Sequence, residues 1–461
     1  MKCPRLKTIA IFMLFAYFVS IVIIYYQLYN AQGAKQIRSI RPELVNRHRK
    51  SHRRPEHLRI GYPLYDSCLH DEDYENLLLE PYFNLGNIYV YSAFFDNRTG
   101  EPYARMISMI YTRAERPISK LWCHFSYGNN SPFDVITEPV EYYEMCENHH
   151  FSHGGWILSC KIPVKILKHT PCVIFLQETS VYSNNQKAAF IPLLKTSSQH
   201  KFRGHANFGV CVPPLHGTIT PFHLIKFMAL MNTLGIYHLI FYVHNITKEL
   251  NAVLEYLEDR GTVTTIPWEL PIESNHVWYY GQSVAINDCL YRSMLYFKYL
   301  AFTDLDEYIV PHTPKKSLLN ILEHKQSVNN TVAAFRFSSA FFIRNPEAKG
   351  NQTKADVLDH IYRTRGVSKI RSKVIVEPYK IFEVGIHHVS RTWPDDMQYT
   401  TLQVDPEEAI VHHYRKCTPT LDLSCSSYIT DSTVPDWFQY YFETRFYSRM
   451  KELNSALNIT F

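Results

Sequence analysis

Two aspartates at the end of an apolar segment are the strongest chemical signal in the sequence. Tyr299–Thr303 (YLAFT) has the composition of a buried strand, and Asp304-Leu305-Asp306-Glu307 follows it directly. Residues two apart in an extended segment face the same side, so the carboxylates of Asp304 and Asp306 point together. Such carboxylates repel each other unless a cation binds them, and oxygen ligands suit Mg²⁺ or Mn²⁺. The pattern indicates a divalent metal site that could bind a diphosphate, with an acidic turn after a core strand as the alternative.

Helices and strands alternate around this segment. Pro221–Leu234 and Leu250–Leu257 have helical patterns, Tyr237–Val243 and Thr262–Ile266 have the composition of strands, and another helix is predicted between Gln282 and Tyr299. This alternation predicts a parallel sheet with crossover helices. Ligand sites of such sheets lie beyond the carboxyl ends of the strands, where the two aspartates are.

The preceding region has a different pattern. From Asn84 to Leu194, short runs rich in Tyr, Phe, Ile and Val are separated by turn residues. This predicts a small antiparallel β domain. His149, His150 and His153 cluster there without the spacing of a zinc site. We predict no catalytic site in this region.

Composition excludes some classes of protein. With 46% hydrophobic and 20% charged residues, the 461-residue chain is not a disordered protein. Its net charge of +5 comes from the amino-terminal part, where residues 1–60 hold twelve Lys and Arg against two acids. The remainder is slightly acidic, which argues against a nucleic-acid-binding face.

The amino terminus predicts a membrane anchor. Ile9–Tyr26 is an uncharged apolar run, near the lower length limit for a transmembrane helix. We predict an anchor over 9–29, followed by a basic stem over 30–75. A signal peptide cleaved near Ala31-Gln32-Gly33 is the alternative.

Sequons and cysteines indicate that the remainder is lumenal. Nine of the ten cysteines follow the apolar run, which fits three or four disulfides and leaves at least one free thiol. Cys211 and Cys289 lie in apolar segments, so free buried thiols are the alternative for them. The predicted N-glycosylation sites are Asn97, Asn245, Asn329, Asn351 and Asn458.

Several ordered blocks carry a family resemblance. Val277–Pro311, which contains both aspartates, resembles the core block of glycosyltransferase family 92. The further matching blocks are Val210–Pro213, Leu234–Ile236, Lys373–Pro378, Val384–Arg391 and Val411–Arg415. The resemblance extends over about residues 205–420.

The resemblance implies a fold and a domain order. The expected fold class is α/β, with a GT-A glycosyltransferase domain (a Rossmann-like mixed sheet) preceded by the small antiparallel β domain and one amino-terminal transmembrane helix. The expected divisions are a cytoplasmic tail 1–8, the anchor 9–29, the stem 30–75, a β-rich lumenal domain 76–204 and a catalytic domain 205–461.

The resemblance also implies a metal and its ligands. Mn²⁺ or another divalent cation would be bound by Asp304 and Asp306, together with the diphosphate of a UDP-sugar, most simply UDP-galactose. A late histidine often completes such a site, and the candidates are His413 and His387 or His388.

Other residues are candidates for contact with the donor and the acceptor. Gln282, Asn287, Asp288 and Arg292 are expected to meet donor hydroxyls, with an intrahelical ion pair between the last two as the alternative. Lys373, and with it Arg371, would neutralise diphosphate charge.

The catalytic base that takes the acceptor's proton is predicted as Asp395 or Asp396, with Glu383 also in these blocks. The aromatic segment Trp437–Phe446 is expected to pack as an amphipathic helix, the alternative being stacking on a sugar.

Taken together, these expectations describe a metal-dependent inverting galactosyltransferase of the Golgi membrane, single-pass type II, with a lumenal catalytic domain. Its partners would be UDP-galactose, a glycan or glycoprotein acceptor such as fucose or galactose on N-glycans (β-1,4 linkage), and the membrane. No nucleic acid is expected, and a homodimer stays open. Transfer from another UDP-sugar and a non-catalytic glycan-binding protein are the alternatives.

Overall fold

The computed structural model describes most of the chain after residue 81. The described ranges are 82–112, 120–126, 135–163, 171, 173–183, 188–195, 206–294, 296–313, 317–344, 355–418 and 425–459. All of them belong to one compact unit that runs from 56 to 461. The predicted anchor and stem, Asn351, Cys68 and Cys172 lie outside the described residues, and the domain boundary near residue 205 stays a prediction. None of the helices in the described ranges has the length and apolar character needed to cross a bilayer.

The first sheet occupies the amino-terminal half of the described residues. Its strands are β1 (Phe83–Leu85), β2 (Ile88–Asp96), β3 (Tyr103–Tyr111), β4 (Trp122–Ser126), β5 (Val135–Pro139), β6 (Glu141–Glu144), β7 (His153–Lys161), β8 (Val173–Gln177) and β9 (Ala189–Lys195). They run in the order β5-β4-β8-β9-β2-β3-β7-β6, with β1 on β2. All pairs are antiparallel except β2 with β9. The predicted antiparallel sheet is therefore confirmed except for that one pair.

The second sheet carries the strand that ends at the aspartates. Its strands are β10 (Ala206–His216), β11 (His238–Asn245), β12 (Val263–Pro267), β13 (Phe297–Phe302), β14 (Glu307–Pro311), β15 (Val332–Ile343), β16 (Tyr362–Thr364), β17 (Ser368–Val376), β20 (Thr400–Gln403), β21 (Ala409–His413) and β22 (Tyr428–Thr430), while β18 (Ile381–Val384) and β19 (Val389–Thr392) form a separate hairpin. The four strands β12-β11-β10-β13 are parallel. Next to β13 the sheet continues with β17, β15, β16 and β22, and β14, β20 and β21 also join it. Pairing in this part of the sheet is mixed and mainly antiparallel. The fold is mixed α/β.

Five helices are described, and local signals explain where the first two begin. They are α1 (Pro221–Thr233), α2 (Lys248–Asp259), α3 (Gln282–Ser293), α4 (Leu318–Val328) and α5 (Thr433–Leu457). Thr220 caps α1, where its side chain accepts from His223 N, and Thr247 caps α2 in the same way. Gly235 follows α1 with a φ of 89°, a left-handed conformation that glycine adopts without strain.

Helix α3 lies between the two sheets. Almost every residue of α3 is buried, and its side chains share one apolar cluster with residues of both sheets, among them Ile107 of β3 and Ile240 of β11. Its buried positions include polar residues such as Asn287 and Asp288 as well as apolar ones, so burial of α3 does not follow a single apolar face. Helix α3 packs between the first sheet and the second sheet.

Three disulfides are present among the described residues. They join Cys123 to Cys160, Cys211 to Cys289 and Cys417 to Cys425. The alternative of free buried thiols at Cys211 and Cys289 is therefore wrong, because this bond ties β10 to α3. Cys146 is a free cysteine, as the odd count predicts.

Removing the Cys211–Cys289 bond is expected to destabilise the protein. The bond spans 78 residues, whereas Cys417–Cys425 spans eight. Cross-links that close long loops restrict the unfolded chain more. We expect the double Cys211→Ala/Cys289→Ala variant to lose about 2–4 kcal/mol of unfolding free energy. Denaturant unfolding measures this. The Cys417→Ala/Cys425→Ala variant is the control, and an equal or larger loss in it would contradict the prediction.

Candidate active site

The two aspartates lie in the turn between β13 and β14. Asp304 and Asp306 follow the carboxyl end of β13, at the edge of the sheet where β10, β11 and β12 also end. The turn is held by Glu307 N, which donates to Asp304 O at 3.2 Å, and by Tyr414 N, which donates to Asp306 O at 2.8 Å. Parallel strand ends of this kind are the usual position of a ligand site in an α/β sheet.

A buried lysine and a buried glutamate complete the carboxylate cluster. Lys373 Nζ of β17 lies 3.0 Å from Asp304 Oδ2 and 2.8 Å from Glu307 Oε2. The side chains of Lys373 and Glu307 are only 2% and 3% exposed. The carboxylate of Glu307 also accepts from Asp304 N at 3.1 Å. Lys373 therefore lies at the turn that carries the two aspartates, where it contacts protein carboxylates, and its predicted role toward a diphosphate stays a prediction.

His413 is the histidine that the fold brings to this cluster. Strand β21 pairs antiparallel with β14, which places His413 opposite Glu307. Its Nε2 lies 3.4 Å from Asp306 Oδ2 and its Nδ1 lies 3.4 Å from Glu307 Oε1. The ring stacks on Phe341 at 5.0 Å. Within the described residues, Nδ1 is buried without a hydrogen-bond partner.

Charge in the cluster is unbalanced. Lys373 contributes one ammonium against the carboxylates of Asp304, Asp306 and Glu307, so two negative charges remain when His413 is neutral. Burial raises the pKa of Asp304 although Lys373 opposes this shift. Burial would also raise the pKa of Glu307, but the charges of Lys373 and His413 outweigh it and lower that pKa.

These residues fit a divalent cation. The side chains of Asp304 and Asp306 are 36% and 44% exposed at the mouth of the cluster, so their oxygens are open to a ligand. Oxygens of two carboxylates and an imidazole nitrogen form a ligand set that Mn²⁺ accepts. A divalent ion would balance the two remaining negative charges, and Asp306 and His413 already face each other across a short gap.

Sequence reasoning did not assign Glu307. In the sequence it belongs to the acidic turn, although strand alternation places it on the opposite side from Asp306. The apolar residues that follow Glu307 are the local signal for its role, because a charged residue that begins a buried strand needs a partner. Its partners come from β17 and β21 and could not be read locally.

An aromatic pocket adjoins the cluster. His216, at the end of β10, stacks on Tyr280 at 3.9 Å, and His244 of β11 lies 5.2 Å from Tyr280. Tyr279 and Tyr280 both have positive φ, 42° and 57°. The pKa of Tyr279 is raised by burial and by the negative charges of Asp304 and Asp306. Sequence analysis did not identify these residues.

Two predicted donor-binding residues of α3 are buried structural groups. Asn287 donates to Val384 O at 2.9 Å and accepts from Val384 N at 2.9 Å. Asp288 accepts from the hydroxyls of Ser92 in β2 and Tyr242 in β11. Both side chains are fully engaged inside the protein, which corrects the interpretation that they contact the donor.

The other two donor candidates on α3 lie at its ends. Arg292 pairs with Asp288 at 2.5 Å, which is the intrahelical ion pair considered as the alternative. Gln282 is buried at the first residue of α3, directly after the turn Trp278–Gly281 that carries Tyr279 and Tyr280. A donor contact by Gln282 stays a prediction.

The structure does not place His388 in the cluster. His388 Nδ1 lies 3.7 Å from Glu147 Oε1, and no contact with Asp304 or Asp306 is recorded for it within the described ranges. The metal-ligand interpretation of His388 is therefore corrected, because the hairpin turn directs it toward the β6–β7 loop. Its neighbour His387 is held by Ser372 O at 2.8 Å, and burial lowers the pKa of His387 to about 4.

The predicted bases Asp395 and Asp396 lie on an exposed turn after β19. Asp395 forms an ion pair with Arg391 at 2.5 Å, and a hydrogen bond from Arg391 lowers the pKa of Asp395. Neither aspartate contacts the cluster in the part of the chain that the structure describes, which leaves their predicted role without support. Glu383 is buried and accepts from Tyr143 OH at 2.7 Å and Cys146 N at 2.8 Å.

A second group of possible ligands lies on the other face of β21. His312, His412 and Asp431 are close enough to share an ion. However, His312 Nε2 lies at hydrogen-bond distance, 2.8 Å, from His412 Nε2, and Arg363 Nε already donates to Asp431 at 2.8 Å. An added cation would face the Arg363 charge, so this group is better described as a hydrogen-bonded network that attaches the start of α5 to the sheet.

The remaining predicted residues are at the surface. Asn245, Asn329 and Asn458 are exposed and Asn97 is partly exposed, which is compatible with glycosylation. In α5, Phe442 and Phe446 are buried, as packing of an amphipathic helix predicts. Trp437 and Tyr440 face solvent on the other side.

Sequence comparison places this combination of fold and site in a family. The profile of glycosyltransferase family 92 matches residues 206–455, more than half of the chain. The chain belongs to this family, which confirms the resemblance in the sequence. The matched range contains the carboxylate cluster and the aromatic pocket.

Particular relatives extend the comparison. Beta-1,4-galactosyltransferase galt-1 of Caenorhabditis elegans is 25% identical over 343 residues, covering 71% of this chain and 74% of that protein. Glycosyltransferase family 92 protein F13G3.3 of the same organism is 23% identical over 347 residues, covering 71% and 62%.

Solved structures show a weak likeness. HddC from Yersinia pseudotuberculosis has a TM-score of 0.24 at 9% identity, covering 52% of this chain and all of that one. Staphylococcal TarS (1–349) has a TM-score of 0.24 at 12% identity, covering 45% and 60%. These TM-scores are too low to support an argument about the fold.

Proposed function

We propose that this protein is a metal-dependent, inverting galactosyltransferase with a GT-A catalytic domain, which transfers galactose from UDP-galactose to a glycan. The observation that carries the proposal is the cluster of Asp304, Asp306 and His413 at the carboxyl end of β13, with two uncompensated negative charges. The galactosyl donor is supported by the likeness to a β-1,4-galactosyltransferase.

Different residues of the chain have different roles at this site. Asp304, Asp306 and His413 would hold Mn²⁺ or a similar divalent ion. That ion supplies charge that binds a diphosphate and offsets its negative charge as it leaves. Lys373 fixes the carboxylates of Asp304 and Glu307, so the ligands are held in position before the substrate arrives.

The aromatic pocket would bind the nucleotide end of the donor. His216, at the end of β10, and Tyr280, in the turn before α3, form a stacked pair, and the ring of Tyr279 lies 6.3 Å from that of Tyr280. A base that stacks there would leave its diphosphate directed toward Asp304 and Asp306.

Replacing His216 is expected to weaken donor binding. Stacking of a base on an aromatic side chain contributes about 1–3 kcal/mol. We expect His216→Ala to raise the KM for the donor about tenfold and to change kcat little. Initial rates at varied donor concentration measure this, with the exposed His324→Gln as control. An unchanged KM would contradict the placement of the nucleotide.

The cellular setting belongs to the same proposal. We place the protein in the Golgi membrane as a single-pass type II protein with a lumenal catalytic domain, acting on fucose or galactose of N-glycans. The disulfides of the described residues support an oxidising compartment.

A donor scan tests the proposed function. Purified full-length protein is incubated with Mn²⁺, a panel of UDP-sugars and a mixture of N-glycans, and the products are read by mass spectrometry. We expect UDP-galactose to give the fastest transfer, adding one hexose. Faster transfer from a different UDP-sugar would overturn the galactosyl assignment. Glycan binding without turnover of any donor would overturn the enzymatic one.

A further inference from the structure

A loop of the first sheet reaches the hairpin formed by β18 and β19. Glu147, between β6 and β7, accepts a hydrogen bond at Oε2 from Ile386 N, in the turn between β18 and β19. Its other oxygen, Oε1, lies 3.7 Å from His388 Nδ1. A Cβ at Gly385 would lie 2.7 Å from Glu147 Oε2 and 2.9 Å from His388 Cε1, so only glycine permits this approach. The contact joins two segments that lie about 240 residues apart in the sequence.

The other side of the His388 ring is open. The side chain is 42% exposed, and Nε2 lies 3.3 Å from the hydroxyl oxygen of Ser390. One ring nitrogen is thus directed at a carboxylate while the other faces a hydroxyl group. At 3.7 Å the Glu147 carboxylate is just beyond hydrogen-bond distance of Nδ1. If this gap closes when the substrate binds, as catalytic hydrogen bonds commonly do, the carboxylate orients an imidazole that accepts a proton from a substrate hydroxyl.

This pair is connected to the proposed metal site through β17. His387 Nδ1 is 2.8 Å from Ser372 O, and Ser372 Oγ donates to His387 O at 2.7 Å. Ser372 immediately precedes Lys373, whose ammonium holds Asp304. His388 therefore follows directly after a residue that is hydrogen-bonded to the neighbour of Lys373.

We propose that His388 is the general base that deprotonates the acceptor hydroxyl, and that Glu147 is the residue that positions it. The inference rests on the proposed glycosyl transfer. The acceptor hydroxyl takes the place that Ser390 Oγ occupies and gives its proton to His388 Nε2. The acceptor oxygen forms the bond to the anomeric carbon. The bond from that carbon to the diphosphate oxygen breaks, and its electron pair leaves with the diphosphate.

Glu147 has two tasks in this step. Its carboxylate orients the ring through Nδ1, and it offsets the positive charge that His388 acquires when it takes the proton. His388 then returns the proton to water, to which its exposed side chain has access. Asp395 is less suited to the task because Arg391 holds its carboxylate in an ion pair at the surface.

Kinetics of three variants test the assignment in the full-length protein. General-base catalysis contributes about 100- to 10,000-fold. We expect His388→Gln and His388→Ala to lower kcat at least about 100-fold, and Glu147→Gln to lower it at least about tenfold. The KM for the donor and the affinity for UDP with Mn²⁺ should stay within about twofold. The variants His324→Gln and Glu249→Gln, which change exposed residues, are the matched controls.

Rescue separates a base from a structural residue. Added imidazole should restore part of the kcat of His388→Ala and should not affect Glu147→Gln. A change in kcat of less than about threefold in the His388 variants, or a loss that imidazole does not rescue, would overturn the assignment. If the wild-type protein transfers no sugar, the proposed function itself is refuted. If the wild-type protein and the His388 variants are all active, only the assignment of His388 as the base is refuted.

Discussion

Asp306→Asn is expected to abolish sugar transfer while the protein remains folded. The Asp306 carboxylate is 44% exposed and faces His413 at 3.4 Å, so its charge supports a ligand more than it supports the fold. Asparagine keeps the size of the side chain and removes one of the two uncompensated negative charges. Weakened binding of the cation would remove several kcal/mol of charge stabilisation from the transition state. We expect kcat/KM to fall about 1,000-fold or more.

The controls for this variant separate charge from folding. The apparent Tm of Asp306→Asn should lie within about 2 °C of wild type, because exposed substitutions change stability little. The exposed Asp405→Asn variant, distant in sequence from the turn, should keep wild-type activity. Activity in Asp306→Asn within about tenfold of wild type would contradict a metal-binding role for this carboxylate.

Lys373→Met is expected to cause the largest loss of stability. Lys373 is the ammonium that contacts the buried Glu307 at 2.8 Å. Methionine has a similar length and leaves the buried Glu307 charge without this partner. Breaking a buried ion pair by removing one partner costs about 3–5 kcal/mol. We expect a loss of that size in the free energy of unfolding, measured by denaturant titration.

An exposed ion pair provides the matched control for Lys373. Lys298 and Glu323 lie 3.2 Å apart with both side chains more than one-third exposed. Such pairs contribute about 0–1 kcal/mol, so Lys298→Met should be nearly neutral. Adding Glu307→Gln to Lys373→Met should recover part of the loss, because the unpaired charge is removed. Equal stability of Lys373→Met and Lys298→Met would show that the buried pair has no structural role.

The sequence predicted the elements whose signals are local. Three of the four parallel strands, β11, β12 and β13, and the helices between them follow from apolar runs and alternation, and the aspartates follow from their position after β13. His413 was identified through its block of the family pattern. The pairing of β21 with β14 explains its place, because that pairing sets His413 opposite Glu307.

Prediction of residue roles from the sequence failed where the surroundings of a residue depend on segments that are distant in the chain. Asn287 and Asp288 occur in the block that carries the resemblance, yet they bind Val384, Ser92 and Tyr242 inside the protein. Because α3 is buried on all sides, its sequence does not show which of its residues contact a ligand and which contact other parts of the protein. No local signal points to Glu147, because it meets His388 only when the loop between β6 and β7 packs against the hairpin of β18 and β19.

Turnover as a function of metal tests the central claim most directly. Full-length protein is treated with EDTA, transferred to metal-free buffer and assayed for galactose transfer from UDP-galactose while Mn²⁺ is added. We expect activity to be lost on stripping and to return along a saturable curve as Mn²⁺ is added, and we expect Asp306→Asn not to recover at the same Mn²⁺ concentrations. Full activity of the stripped wild-type protein, or equal recovery in Asp306→Asn, would contradict this claim.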